Sequence, residues 1–334
     1  IFLIYIGAGV LFVKAVATGV YMLRLVLVKI YVKRKYPALD FYAEPNEGAL
    51  KQKNAALLHQ VVGIIVNNTD TTVLTICLGA KSLLEVSVYG IYMMVVNAVN
   101  QLMTSFSNGL TAGFGEVIAK NEEETLKKSY SSYEYMYFVI MFIVIACMGV
   151  LILPFVGVYT INLTDVQYVR PVLGILFTLI VFMQNVRIPG LTIICAAGHY
   201  KETRYQAILE AVINITVSLG LVWKFGMAGV LLGTVCSYGY RSFEIVFYTS
   251  RHLVKGCAKK SMFRILRNVF TVAILCTVGT YVIPQEITSF TTWFLYAIGM
   301  GLTSVFFVVV INYVVEPDEF MQLRHRVNDI IKKE

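Results

Sequence analysis

Apolar and polar positions along this chain fall in long blocks rather than in residue-by-residue alternation. Apolar runs of about twenty residues, the length that crosses a bilayer as a helix, recur between short polar stretches. Residues 1–13 read as the tail of one such run. Nine complete spans follow, at 15–32, 55–78, 86–108, 134–157, 171–196, 205–223, 228–249, 266–283 and 291–315. The chain opens inside an apolar run and without Met, so the numbering is expected to start partway through a larger protein, within a transmembrane helix.

Composition agrees with that pattern. The chain is 57% hydrophobic and only 14% charged, against about 25% charged in soluble domains. The net charge of +8 is a topology signal. Lys29, Lys33, Arg34, Lys35, Lys51, Lys53, Lys120, Lys127, Lys128, Lys201, Arg204, Arg251, Lys255, Lys259, Lys260, Arg264, Arg267, Arg324, Arg326, Lys332 and Lys333 all fall in alternate loops. The other set of loops holds only Lys14, Lys81, Arg170 and Lys224. The positive-inside rule places the basic loops and the C-terminus in the cytosol, and nucleic acid need not be invoked. The six cysteines show no CxxC spacing and read as small core residues; the four histidines form no ligand-spaced cluster. No Walker loop, HExxH or nucleophile elbow occurs, and no loop is long enough for a soluble catalytic domain. Asn121, followed by Glu122, Glu123 and Glu124, reads as a helix N-cap with acids in the first turn.

Polar residues inside the spans are the candidate chemistry. Asp70 lies in the run Asn67-Asn68-Thr69-Asp70-Thr71-Thr72, in the middle of the 55–78 span. A carboxylate in hydrocarbon is costly and usually faces a bundle interior or a watery cavity. Asp70 either pairs with an arginine or binds a coupling cation or proton. In the 86–108 span, Asn97, Asn100, Gln101, Thr104 and Asn108 share one helical face; they either hydrogen-bond neighbouring helices or line an aqueous cavity. Arg187 follows Gln184 and Asn185 and precedes Pro189, which can kink the span. It either snorkels to the interface or faces a cavity as an anion-binding group. Arg241 and Glu244, three apart, can pair on one face. Glu210 and Asn214, four apart, become neighbours of Asp70 if their helices pack together.

Four stretches carry a family likeness: LVKIYVKRKYP (27–37), HQVVGIIVNNTDTTVL (59–74), SNGLTAGFGEVIAKN (107–121) and CAAGHYKETRYQAILEAVINITVS (195–218), the last followed by AGVLLGT (228–234) and Tyr240-Arg241. In order and spacing the chain resembles the polysaccharide repeat-unit flippases (Wzx type) of the multidrug/oligosaccharidyl-lipid/polysaccharide exporter superfamily. The resemblance implies an all-α polytopic membrane protein with the MATE-like fold of that superfamily, two six-helix lobes with two further helices. It assigns residues 1–32 to the end of helix five and helix six of a first lobe otherwise missing, and 33–54 to a cytosolic linker. Residues 55–250 become the second lobe (helices seven to twelve), 251–315 helices thirteen and fourteen, and 316–334 a cytosolic tail.

The implied activity is alternating-access movement of an undecaprenyl-diphosphate-linked oligosaccharide across a bacterial cytoplasmic membrane, for capsule or cell-wall polysaccharide, beside a polysaccharide polymerase. Arg187 and Arg241 would hold the diphosphate, and Asn97, Asn100, Gln101, Gln184 and Asn185 would meet sugar hydroxyls. Relatives use a Na⁺ site in the second lobe; the matching positions are Asp70, Asn214 and Thr234, with Glu210 as a further ligand. No cofactor is expected beyond coupling to Na⁺ or H⁺. The nearest alternative is a cation-coupled drug antiporter of the same superfamily, which would favour an acidic, aromatic cavity. A membrane polysaccharide polymerase would need a large extracytoplasmic loop, and the polar face of 86–108 speaks against a scaffold.

Overall fold

The structure, a computed structural model, describes residues 7, 9–37, 52–108, 110–284 and 287–321. The chain divides into two compact units, Ile1–Lys51 and Gln52–Glu334. In the first, α1 (Val10–Lys35) is a 26-residue helix with Lys33, Arg34 and Lys35 in its last turn, where cations meet the negative end of the helix dipole.

The second unit begins with α2 (Lys53–Cys77), a 3₁₀ turn at Gly79–Lys81, α3 (Ser82–Ser107), α4 (Leu110–Ala119) and α5 (Glu123–Tyr159). It continues with α6 (Pro171–Val186), α7 (Ile188–Ala196), α8 (Arg204–Phe225), α9 (Met227–His252), α10 (Ala258–Val282) and α11 (Phe290–Val315). No strand occurs among the described residues. Seven helical stretches there are long and apolar enough to cross a membrane: Leu11–Lys35, Gly79–Ala119, Glu123–Tyr159, Pro171–Ala196, Arg204–Phe225, Ala258–Val282 and Phe290–Val315. This is the build of an all-α, multi-pass membrane protein. The other two expected spans fall on α2 and α9, which at 25 and 26 residues are long enough but carry Asp70, Arg241 and Glu244. Of the helices, α9 buries the most polar groups: Thr234, Ser237, Arg241, Ser242 and Thr249.

Within the second unit, α2, α3, α6, α9 and α8 close a ring in which each helix packs on the next and α8 returns to α2. Helix α5 lies against α3 and α6, and α10 and α11 pack on the far side of α5. Its 37 residues form the spine of the apolar core, with Tyr137, Phe138, Met141 and Phe142 among its fully buried side chains.

Three local features shape the ring. First, α8 and α9 are joined through Gly226 alone, which takes φ +56°, a value that glycine tolerates at little cost. The two helices then touch along Gly229 and Gly233. A Cβ at 229 would run into the Leu221 carbonyl, and one at 233 into Ser218. Small residues four apart permit this approach and account for the AGVLLGT stretch. Second, the expected kink at Pro189 is a full break. Residue 189 has no N–H to give the Asn185 carbonyl, which takes the Arg187 N–H instead, ending α6 there. Third, Asn121 is not an N-cap. It has φ +56° and closes α4, with the Asn121 N–H bonded to the Ile118 carbonyl (3.0 Å) and the Glu122 N–H to the Val117 carbonyl (3.3 Å). That is a Schellman closure with Asn at the left-handed position, and Glu122 takes the N-cap position of α5 without a side-chain capping bond. Likewise α10 starts at Ala258 rather than 266, so Lys260, Arg264 and Arg267 sit on a helix and not in a loop.

Candidate functional site

Two connected polar cavities lie inside the ring. The first, about 350 Å³, is lined by Asn67 and Asp70 from α2, Tyr89, Asn97 and Asn100 from α3, Gln184 from α6, and Thr234 and Tyr238 from α9. The second, about 420 Å³, continues from Asn67, Gln184 and Tyr238 to His59, Arg187, Tyr200, Glu210 and Arg241. The shared side chains make one seam, neutral amides and a carboxylate at one end and guanidinium groups at the other. A larger hollow of about 670 Å³ between α10 and α11 is apolar, with no carboxylate or base on its wall, and offers no comparable chemistry.

Asp70 is 4% exposed and makes no ion pair among the described residues, so the structural pairing with an arginine is not formed. Its Oδ1 accepts from the Thr234 hydroxyl at 2.7 Å and its Oδ2 from the Tyr89 hydroxyl at 3.3 Å. Asn214, fully buried, donates to Thr234 Oγ1 at 3.0 Å and to Ser237 Oγ at 3.4 Å. Its own Oδ1 has no partner, an orphan acceptor that a buried site does not normally tolerate. Asp70 and Thr234 thus join α2 to α9, and the Asn214 amide of α8 turns its Nδ2 to the Thr234 and Ser237 hydroxyls beside them.

Glu210 does not join them. It faces the arginines: Oε1 bonds Arg187, and Oε2 lies 3.5 Å from Arg241 Nε. Arg241 also pairs with Glu244 one turn along α9. The Arg187 guanidinium lies over the Tyr238 ring, 4.5 Å from its centroid, while its Nε has no partner. Arg187 sits where α6 breaks and only 14% of its side chain is exposed, so it does not snorkel to an interface. Sequence spacing finds the Arg241–Glu244 pair but cannot find Glu210 bridging two arginines, which needs the packing of α7, α8 and α9.

Of the amides, Asn97, Asn100 and Gln184 line the first cavity. Gln101, by contrast, is exposed and lines neither cavity. Asn185 is turned into helix contacts: its Nδ2 donates to Asn100 Oδ1 at 2.9 Å, and its Oδ1 accepts from Tyr137 at 2.9 Å. Asn100 in turn donates to Gln184 Oε1 at 2.8 Å. In the α3 stripe, then, Asn97 lines a cavity and Asn100 both lines it and bonds α6, while Gln101, Thr104 and Asn108 are exposed and do neither.

A charged network lies outside the sequence reading above. Arg264, fully buried at the start of α10, pairs with Glu134 of α5 (3.0 Å), Glu316 (3.0 Å) and Glu319 (3.3 Å). Lys260 and Arg267 extend it through Glu319 (2.6 Å) and Glu316 (2.9 Å). Burial alone would raise the Glu319 carboxyl, but bonds from Lys260 and Ser131 outweigh it and hold it below the ordinary carboxylate range. The available signal was spacing: Arg264, Arg267, Asn268 and Thr271 recur on one helical face.

The chain matches no protein-family model, and no curated protein matches it.

Proposed function

We propose that this chain is part of a flippase that moves a lipid-linked oligosaccharide carrying a diphosphate across a bacterial cytoplasmic membrane. On this reading α2 to α9 form the second lobe of the MATE-like fold, and α10 and α11 are the two helices behind it. The supporting observation is the seam itself: amides at one end, two arginines at the other, enclosed by helices of membrane-spanning length. A diphosphate needs planar, charged donors, which guanidinium groups supply in pairs. Sugar hydroxyls need groups that both donate and accept, which Asn97, Asn100 and Gln184 provide. The lipid tail needs no site and can stay in the bilayer. Transport then requires the seam to face each side in turn around a fixed midplane site.

The coupling ion on this reading is Na⁺. The residues fit in type: Asp70 brings the negative charge, Thr234 and Ser237 bring hydroxyl oxygens, and the Asn214 amide, once turned over, would bring its unpartnered Oδ1 as a further hard ligand. A bound cation would neutralise Asp70 and take up that orphan oxygen. Proton coupling through Asp70 alone is the variant of this reading. A second reading, a cation-coupled drug antiporter, draws support from Asp70, Tyr89 and Tyr238 on one cavity wall. On this reading the chain carries its substrate without catalysing a reaction on it, and a polysaccharide polymerase is its partner.

Accumulation of lipid-linked oligosaccharide in a strain lacking the flippase, relieved by the full-length protein, tests the assignment. In that assay Arg187→Lys should keep more transport than Arg187→Ala, since the charge survives and only the fork geometry is lost. Equal losses would remove Arg187 from headgroup binding. Efflux of a cationic drug without oligosaccharide transport would favour the antiporter.

A further inference from the structure

The second cavity holds more carboxylate than an anion site needs. Its two guanidinium groups, Arg187 and Arg241, face two carboxylates, Glu210 and Glu244, so the cluster is formally neutral. The two arginines are not equivalent. Arg241 has Glu244 on its own helix and keeps that partner whatever Glu210 does. Among the described residues Arg187 has only Glu210, together with the ring face of Tyr238, and its Nε is unpartnered. Glu210 therefore spans the pair, one oxygen on each arginine, and lies beside both.

We infer that Glu210 is a built-in counter-anion that occupies Arg187 in the empty site and yields it to the anionic group of a ligand. This rests on the diphosphate reading above and adds how that site is regulated. The chemistry is an exchange of ion pairs. An entering phosphate takes the Arg187 fork, and Glu210 withdraws onto Arg241, whose Nε is already 3.5 Å from its second oxygen. Every charge keeps a partner throughout, which matters because a buried ion left alone is strongly unfavourable. The exchange also sets selectivity. A small monoanion displaces a carboxylate from Arg187 with little net gain. A polyanion that also reaches the cavity's amide and tyrosine donors gains contacts that Glu210 cannot make. Glu210 is thus a specificity-determining residue and an obstacle to loading by free anions.

The test is binding of inorganic pyrophosphate, and of inorganic phosphate, to the full-length protein in nanodiscs, followed by calorimetry at fixed ionic strength. E210Q should bind pyrophosphate roughly tenfold more tightly than the wild type and should lose discrimination against phosphate. Unchanged or weaker binding by E210Q, with wild-type binding still lost in R187A, overturns the counter-anion and leaves the diphosphate reading standing. Absence of any binding that depends on Arg187, for pyrophosphate or for a polyprenyl diphosphate in the disc, removes that reading and this inference with it. A gain shared by pyrophosphate and polyprenyl diphosphate assigns a lipid headgroup, and a gain for pyrophosphate without one for the polyprenyl diphosphate assigns a soluble anion; both uphold the exchange. Should E210Q not fold, E210D carries the same test, since a side chain shorter by one methylene cannot span both arginines. Wild-type affinity in folded E210D overturns the inference.

Discussion

Asp70 shows what one residue can disclose and what it hides. A carboxylate at mid-span announces a polar interior from sequence alone, and the structure puts it on a cavity wall. What spacing alone withholds is its partner set, which only the family resemblance pointed to. Thr234 and Asn214 stand 164 and 144 positions away, and nothing in their spacing ties them to Asp70. Glu210 was harder still, because a single turn of α8 separates an Asp70 neighbour from an arginine partner, and only the rotation of the helix decides. On the coupling reading, Asp70→Asn removes a charge that two hydroxyls now serve, a loss of about 1.5–3 kcal/mol or a factor of roughly ten to a hundred in transport. Oligosaccharide export measured at matched membrane levels checks this. Wild-type export by the variant would end the coupling role.

At the scale of elements, span positions were legible because length and apolarity are local properties. Helix ends were less so. Asn121 followed by three glutamates has the composition of a start, yet the chain uses its tolerance of positive φ to stop α4. The Arg264 network was hidden for a related reason: charges near a helix end look like loop charges until the helix is seen to begin six residues before Arg264, at Ala258. The contact of α8 with α9 makes a firm prediction. Gly233→Ala sets a methyl against the Ser218 backbone nitrogen at 2.7 Å as well as its side chain, so no rotamer change relieves it. Overpacking of this kind costs about 1–3 kcal/mol. Thermal unfolding in detergent should show a clearly lowered melting temperature, and an unchanged one would mean that the two helices do not pack this closely.

For the second unit as a whole, α10 and α11 are held to α5 by apolar packing along their length and by charge at one end. The charge sets a pH dependence. Glu319 titrates below its unfolded value, near 4.3 for a free glutamate, so it stabilises the fold above that value. The contribution fades as pH falls through the lower folded value. Melting temperatures taken from pH 7 down to pH 3 should converge between wild type and Glu319→Gln at the acid end. Parallel curves would show that Lys260 and Ser131 do not hold the carboxylate.

The one-residue turn at Gly226 reaches further than the hairpin it makes. With Gly229 and Gly233 pressed against their neighbours, α8 and α9 are welded into a single lever, and Asn214, Thr234 and Ser237 ride on it at fixed spacing. Asp70 alone belongs to a different helix. Any swing of the lever against α2 must therefore stretch or release the hydrogen bonds from Thr234 to Asp70 and from Tyr238 to Asn67, which makes those bonds the strain gauge of the bundle.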